Sequence, residues 1–204
     1  TYSISALVEY SVLGYLAGRF FGPAAAATCA IFVTIHFSLT GIVQMVTIPA
    51  WPALMDARQR NDIQWIEKCR KKLQLLCLGY GIAAVLFFAL LGQFAIQLWV
   101  GDVLVVGKLG IAVFAIFFAL HIWRHGNQVL LLGMDQEKWV ARSLVMESAV
   151  VLGLLWVSFQ FGDGLEWVYL AAAVGLLVGT AGRFPRKVNN SLRKMRDQLA
   201  SGTQ

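Results

Sequence analysis

The sequence predicts an all-α, polytopic membrane protein with six transmembrane helices, and three observations lead there. Composition is the first: 58% of the 204 residues are hydrophobic and 14% are charged, with a mean hydropathy of +0.67, whereas a soluble domain carries about 25% charged residues. The second is that apolar stretches near the ~20 residues needed to cross about 30 Å of hydrocarbon recur along the chain, separated by polar links. Third, lysines and arginines gather in alternate links. Together these exclude a disordered tail, a coiled coil and a disulfide-stapled secreted scaffold. They also argue against an ordinary soluble enzyme, which has too little polar surface to spare for so apolar a chain.

Taken in order, the first span is expected over residues 4–21, interrupted by Glu9 and Arg19 and ended by the Gly22-Pro23 turn signal. The second, 24–48, carries His36 and no formal charge. Pro49 and Pro52 then predict a helix break, because proline lacks the N–H and its ring clashes with the preceding turn. Residues 51–72 alternate Leu54, Ile63, Trp65 and Ile66 with charges. That is the pattern of an amphipathic elbow lying on the membrane surface, or equally of a solvated loop helix. The third span is expected at 75–99, inside the charge-free run Leu73–Gly101, and the fourth at 109–133. The fifth, 143–161, contains Glu147, and the polar turn Gly162-Asp163-Gly164 leads into a sixth at 167–182. Residues 183–204 read as a basic tail. Trp99, Trp139 and Trp167 stand near proposed span ends, where indole rings favour the headgroup level.

Six spans put both ends on one side. All but three of the 17 lysines and arginines (Arg19, Lys108 and Arg124 are the exceptions) then lie on that same side. The positive-inside rule makes it the cytoplasm. The net charge of +6 is explained this way and calls for no nucleic-acid partner. Cys29, Cys69 and Cys77 form no CxxC and indicate neither a disulfide framework nor a metal site. No signal-peptide pattern precedes the first span. A start at Thr1 carries the expectation that the chain begins inside a longer protein or has been trimmed.

Ionisable groups within spans cost about 2.5–3.5 kcal/mol at the bilayer centre, so they face a cavity or a partner. His121, Arg124, His125 and Gln128 recur at i, i+3, i+4 and i+7, on one face of the fourth span. They are candidates for lining a substrate cavity, as a cationic stripe suited to an anionic head group such as a phosphate. The plainer reading has Arg124 snorkelling to the interface. Glu147, one turn into the expected fifth span, joins them as a cavity candidate within reach of Arg124, Arg142 or water. Glu9 has fewer local partners and is the candidate for a coupling-ion site; an ion pair with another helix is its alternative. His36 reads as a packing residue. His121 and His125 lack a third ligand, and no HExxH is present, so no metal is expected. With no GxSxG, Walker loop or GxGxxG in a supporting loop, no catalytic residue, cofactor or enzyme activity is expected. Gly79-Tyr80-Gly81 reads as a place of close helix packing.

Several short motifs stand between Phe21 and Gly101. Phe21-Gly22-Pro23 precedes a span, and Pro49-Ala50-Trp51-Pro52-Ala53-Leu54 follows it. Asp56-Ala57-Arg58 and Asn61-Asp62-Ile63-Gln64-Trp65-Ile66 lead into a basic run, and Leu98-Trp99-Val100-Gly101 closes the next span. In these the chain resembles the bacterial polysaccharide transporter and O-antigen flippase family of the multidrug/oligosaccharidyl-lipid/polysaccharide (MOP) exporter superfamily. The resemblance implies one six-helix lobe of a two-lobe transporter working by alternating access, here the C-terminal lobe. Its partners would be the bilayer, a lipid-linked oligosaccharide, and a missing N-terminal lobe or second chain. It further implies a multi-pass protein of the bacterial inner membrane, both termini cytoplasmic, that flips an undecaprenyl-pyrophosphate-linked oligosaccharide in cell-surface polysaccharide biosynthesis. The motifs assign no roles to His121, Arg124, His125, Gln128, Glu147 or Glu9; those come from charge and spacing. A drug/cation antiporter of the same superfamily is one alternative, disfavoured by the cationic stripe. A non-transporting lobe, either a remnant or a structural partner, is the other.

Overall fold

A computed structural model of the chain describes residues 12–101, 107–162 and 164–202, and among these every regular element is a helix. Helix α1 spans Leu13–Phe21 and α2 Pro23–Gln59. Gly22, at φ 88°, turns the chain between them in a conformation that favours glycine, and Pro23 opens α2 where its missing N–H is harmless. Helix α3 spans Ile63–Val100, α4 Lys108–Gly133 and α5 Glu137–Phe161. Helix α6 covers Leu165–Leu176 and runs into a π-helical turn, Leu177–Ala181, before α7, Phe184–Gly202. Five helical runs are long and apolar enough to cross a membrane: α2, α3, α4, α5 and the run Leu165–Ser201.

The structure departs from the sequence expectation in three places. Pro49 and Pro52 do not break the second helix; α2 continues through both to Gln59. Both prolines lie on the exposed side of α2, while Thr47 and Leu54 face inward. Proline is tolerated within such helices when local adjustment and neighbours satisfy the freed backbone groups. In consequence there is no separate elbow over 51–72. The chain reverses instead at Arg60–Asp62. Asn61 adopts φ 55°, which asparagine tolerates, and the Asp62 carboxylate accepts a 2.9 Å bond from the Trp65 amide to cap α3. At 37 and 38 residues, α2 and α3 are each roughly 55 Å long, well beyond the hydrocarbon thickness, and so project past it.

The fifth helix begins at Glu137 rather than near 143, which sets Glu147 deeper than expected. Residues 183–204 are not a plain tail. Most of them form α7, whose Phe184, Val188 and Leu192 are buried against Leu54, Ile66, Leu130 and Val140. Their i, i+4, i+8 spacing is the apolar stripe of an amphipathic helix, obscured in the sequence by the surrounding lysines and arginines. Arg196 pairs with Glu67, and Arg70 donates to Asn189 at 2.5 Å, so α7 is tied across the start of α3. Arg58 and Asp135, at 3.1 Å, join the α2–α3 turn to the α4–α5 turn. The basic links thus meet at one end of the bundle.

Helix α4 is the hub, touching α2, α3, α5, α6, the π-turn and α7. Its apolar half is packed among aromatic rings: Phe114 stacks on Phe32 at 4.4 Å, and Tyr169 stands edge-on to both. Small residues let the helices close in. A Cβ at Gly126 would collide with Cys77 Sγ of α3, and one at Gly81 would press on Ala119 of α4 at 3.3 Å. Gly79 has open space around it.

Candidate functional site

The polar residues of α4 between His121 and Gln128 are all interior. His121, Arg124, His125 and Gln128 are each at most 7% exposed, and Asn127 is buried with them. Arg124 lies nine residues before the end of α4 and Glu147 ten residues after the start of α5. At 1.5 Å per residue these positions are about 13 and 15 Å from their helix ends, so the two side chains meet at one depth. Arg124 Nη1 donates to Glu147 Oε1 in a salt bridge with both side chains buried. Arg124 is therefore held between helices instead of snorkelling outward.

Two further contacts engage the carboxylate and the guanidinium. Thr180 Oγ1, on the π-helical turn, donates to Glu147 Oε2. Arg124 Nη2 lies 3.1 Å from His121 Nδ1. Because a guanidinium only donates, Nδ1 accepts, and the neutral His121 ring carries its proton on Nε2. The π-turn has a visible use here: it brings Thr180 onto Glu147 and presents the Ala181 carbonyl to Trp123 Nε1 at 3.2 Å. Such turns recur at functional positions in helices. Gly179 permits the approach, since a Cβ there would stand 2.9 Å from Glu147 Cβ.

The i, i+3, i+4, i+7 stripe does not act as one surface. Arg124 turns toward Glu147 of α5, while His121 meets His36 of α2 edge-on at 4.3 Å. His125 Nε2 instead shares a 2.8 Å hydrogen bond with Thr47 of α2. Gln128, although buried, makes no hydrogen bond to the others among the described residues. Gln74 of α3 donates to Asn127 at 2.8 Å, and Asn127 donates back to the Trp123 carbonyl at 2.9 Å. Each of α2, α3, α5 and the π-turn thus reaches α4 through a polar bond at the same level. Glu9 lies outside the described residues.

Sequence reasoning placed Glu147 within reach of Arg124 but did not mark Thr180, Thr47, Gln74 or Asn127 as its neighbours in a network. The available signal was weak: single polar residues within otherwise apolar spans, each of which must find a partner in a bilayer. Among the described residues, no three His, Cys, Asp or Glu side chains gather where they could hold a metal ion.

Chemically, the cluster is close to charge balance: one cation, one anion and the three histidine rings around them. It can exchange a proton or a counter-ion at Glu147, and it can present Arg124 to another anion if Glu147 lets go. Helices fit for a bilayer around a polar interior are the features of a multi-pass membrane protein. Beyond that class, no family model, curated protein or solved structure matches the chain.

Proposed function

We propose that the chain is a lobe of an inner-membrane transporter that moves a lipid-linked pyrophosphate oligosaccharide during cell-surface polysaccharide synthesis. The observation that supports it most is the buried Arg124–Glu147 pair at the hub of a bundle whose remaining spans are apolar. Ionisable groups at such depth are costly, and they mark substrate and ion paths. In this reading Glu147 is the resting counter-ion of Arg124. An incoming pyrophosphate displaces the carboxylate from the guanidinium, and a proton taken up by Glu147 favours that exchange. His121 orients Arg124 through its Nδ1, while His125 and Gln128, one and four residues nearer the basic end than Arg124, lie on the path of the head group. Glu9 is the second carboxylate proposed to couple transport to an ion gradient. A partner lobe supplies the other wall of the path, and both termini of this lobe lie in the cytoplasm.

The test is binding by the purified full chain. A polyprenyl-pyrophosphate oligosaccharide and a lipophilic organic cation are titrated in parallel. Arg124→Ala is expected to weaken the pyrophosphate ligand by about tenfold or more, the size of a lost charge-assisted hydrogen bond, while Arg186→Ala leaves it within about twofold. Preferential binding of the organic cation, or equal small effects of the two substitutions, overturns the proposal.

A further inference from the structure

Outside the polar interior, a groove of about 470 Å³ runs between α2 and α3 near the basic end. Its walls are almost entirely apolar, and its two charged groups are Lys68 and Lys72. On α3 the lining residues Trp65, Lys68, Lys72 and Leu76 follow each other by three and four positions, so they form one stripe along the helix. The stripe has a direction. Trp65 stands nearest the α2–α3 turn, Lys68 and Lys72 follow, and Leu76 lies about 12 Å beyond Lys68 along the helix, in the apolar span. Val46 of α2 and the buried Leu73 complete the apolar part.

Two neighbouring charges are engaged across to α7, Glu67 with Arg196 and Arg70 with Asn189, and Lys71 does not line the groove. Lys68 and Lys72 are exposed and make no ion pair among the described residues. Ammonium groups on flexible stems at the mouth, an indole beside them and an aliphatic trench leading inward repeat the order of parts in an anionic phospholipid.

We propose that this groove binds one anionic phospholipid, with its phosphate between Lys68 and Lys72 and an acyl chain lying along Val46, Leu73 and Leu76. A soluble phosphate would use the lysines and leave the apolar walls empty. A zwitterionic lipid would fill the walls and gain little from the lysines. A second copy of the chain would have to bury both ammonium groups, at a cost an acidic lipid head group avoids.

The experiment is a lipid titration of the full chain in detergent, read by native mass spectrometry. Phosphatidylglycerol and phosphatidylcholine with identical acyl chains are compared. One phosphatidylglycerol is expected to be retained in preference. The double substitution Lys68→Gln/Lys72→Gln should lower its affinity about 25-fold, from about fivefold per basic residue near a membrane surface. Arg193→Gln/Lys194→Gln, on α7, should leave it unchanged. Val46→Trp fills the trench with both lysines in place and should also weaken binding. Glycerol 1-phosphate should not displace the lipid.

The unsubstituted chain gives a second readout through Cys69, which is half-buried in the groove wall while Cys29 and Cys77 are buried in the core. Phosphatidylglycerol should slow maleimide alkylation of Cys69 more than phosphatidylcholine does. Equal retention of the two lipids, or no effect of the lysine substitutions, overturns the proposal. So does displacement by glycerol 1-phosphate, which would make this a head-group anion site. A dimer that protects Cys69 without added lipid would assign the groove to a second copy and also overturn it.

Discussion

Helices α3 and α4 lie side by side, and both are strongly apolar, yet they solve opposite problems. On α3 the buried positions Ile66, Leu73, Cys77, Gly81, Phe88, Gly92 and Ile96 form one narrow stripe. Leu75, Ile82, Leu86, Leu90, Phe94 and Leu98 point outward and are exposed. On α4 almost every residue from Gly110 to Gly133 is interior, and the polar ones are included. In water the outward leucines of α3 would be the anomaly. In a bilayer they are ordinary, because hydrocarbon is as apolar as the protein interior, and it is the polar side chain that has to be inside. The difference teaches that in this chain hydropathy says little about burial, whereas polarity within a span says a great deal.

The sharpest way to break this comparison is to leave one charge of α4 alone. Glu147→Leu strands the Arg124 guanidinium in the interior and is expected to cost about 3–5 kcal/mol of unfolding free energy. Arg124→Leu/Glu147→Leu, which removes both charges, should recover most of that loss, since a buried pair is often replaceable by apolar groups at little net cost. Unfolding of the three proteins in bicelles measures it. If the double variant is as damaged as the single one, the pair is not the unit that α4 buries.

The corresponding test on α3 places a charge where the comparison says lipid lies. Leu90 is 78% exposed and sits in the middle of the apolar run. Leu90→Lys should cost about 2.5–3.5 kcal/mol if that face meets hydrocarbon. It should change stability by less than about 0.5 kcal/mol if the face meets water, as exposed substitutions in soluble proteins do. Insertion efficiency and unfolding in nanodiscs distinguish the two. A neutral result removes the bilayer from the account of α3 altogether.

These two helices also show how far the sequence could be read. The all-helical class and the membrane-fit helices were legible, because composition and apolar run length are properties of the chain alone. Partnerships were not. The spacing of His121, Arg124, His125 and Gln128 on α4 was plain, but it suggested one shared surface. In the structure Arg124 turns to Glu147 and His125 to Thr47, a division set by which helices stand on either side. Thr180 could not be assigned to Glu147 without the π-turn that brings it there. At Pro49 and Pro52 a sound local rule was overridden, since both lie on the exposed side of a helix whose interior contacts continue past them. The apolar stripe of α7 was present in Phe184, Val188 and Leu192 but submerged in basic residues.

The smallest expected effect tests the neutral half of the same polar layer. Thr47 is fully buried, and its hydroxyl lies 2.8 Å from His125 Nε2. Thr47→Val keeps the shape and deletes the hydrogen bond. In a soluble core, stranding a buried histidine nitrogen would cost about 1–3 kcal/mol. Between membrane helices the expected cost is about 0.6 kcal/mol, because the separated helices also find partners for their polar groups. A cycle with Thr47→Val, His125→Phe and the pair of them isolates the coupling, read as unfolding free energy in bicelles. A coupling near 0.6 kcal/mol makes Arg124–Glu147 the strong tie of the layer and Thr47–His125 a guide to register. A coupling above about 2 kcal/mol would mean that α2 and α4 meet in an interior that behaves like a soluble core, and the contrast between α3 and α4 would then need a different cause from the bilayer.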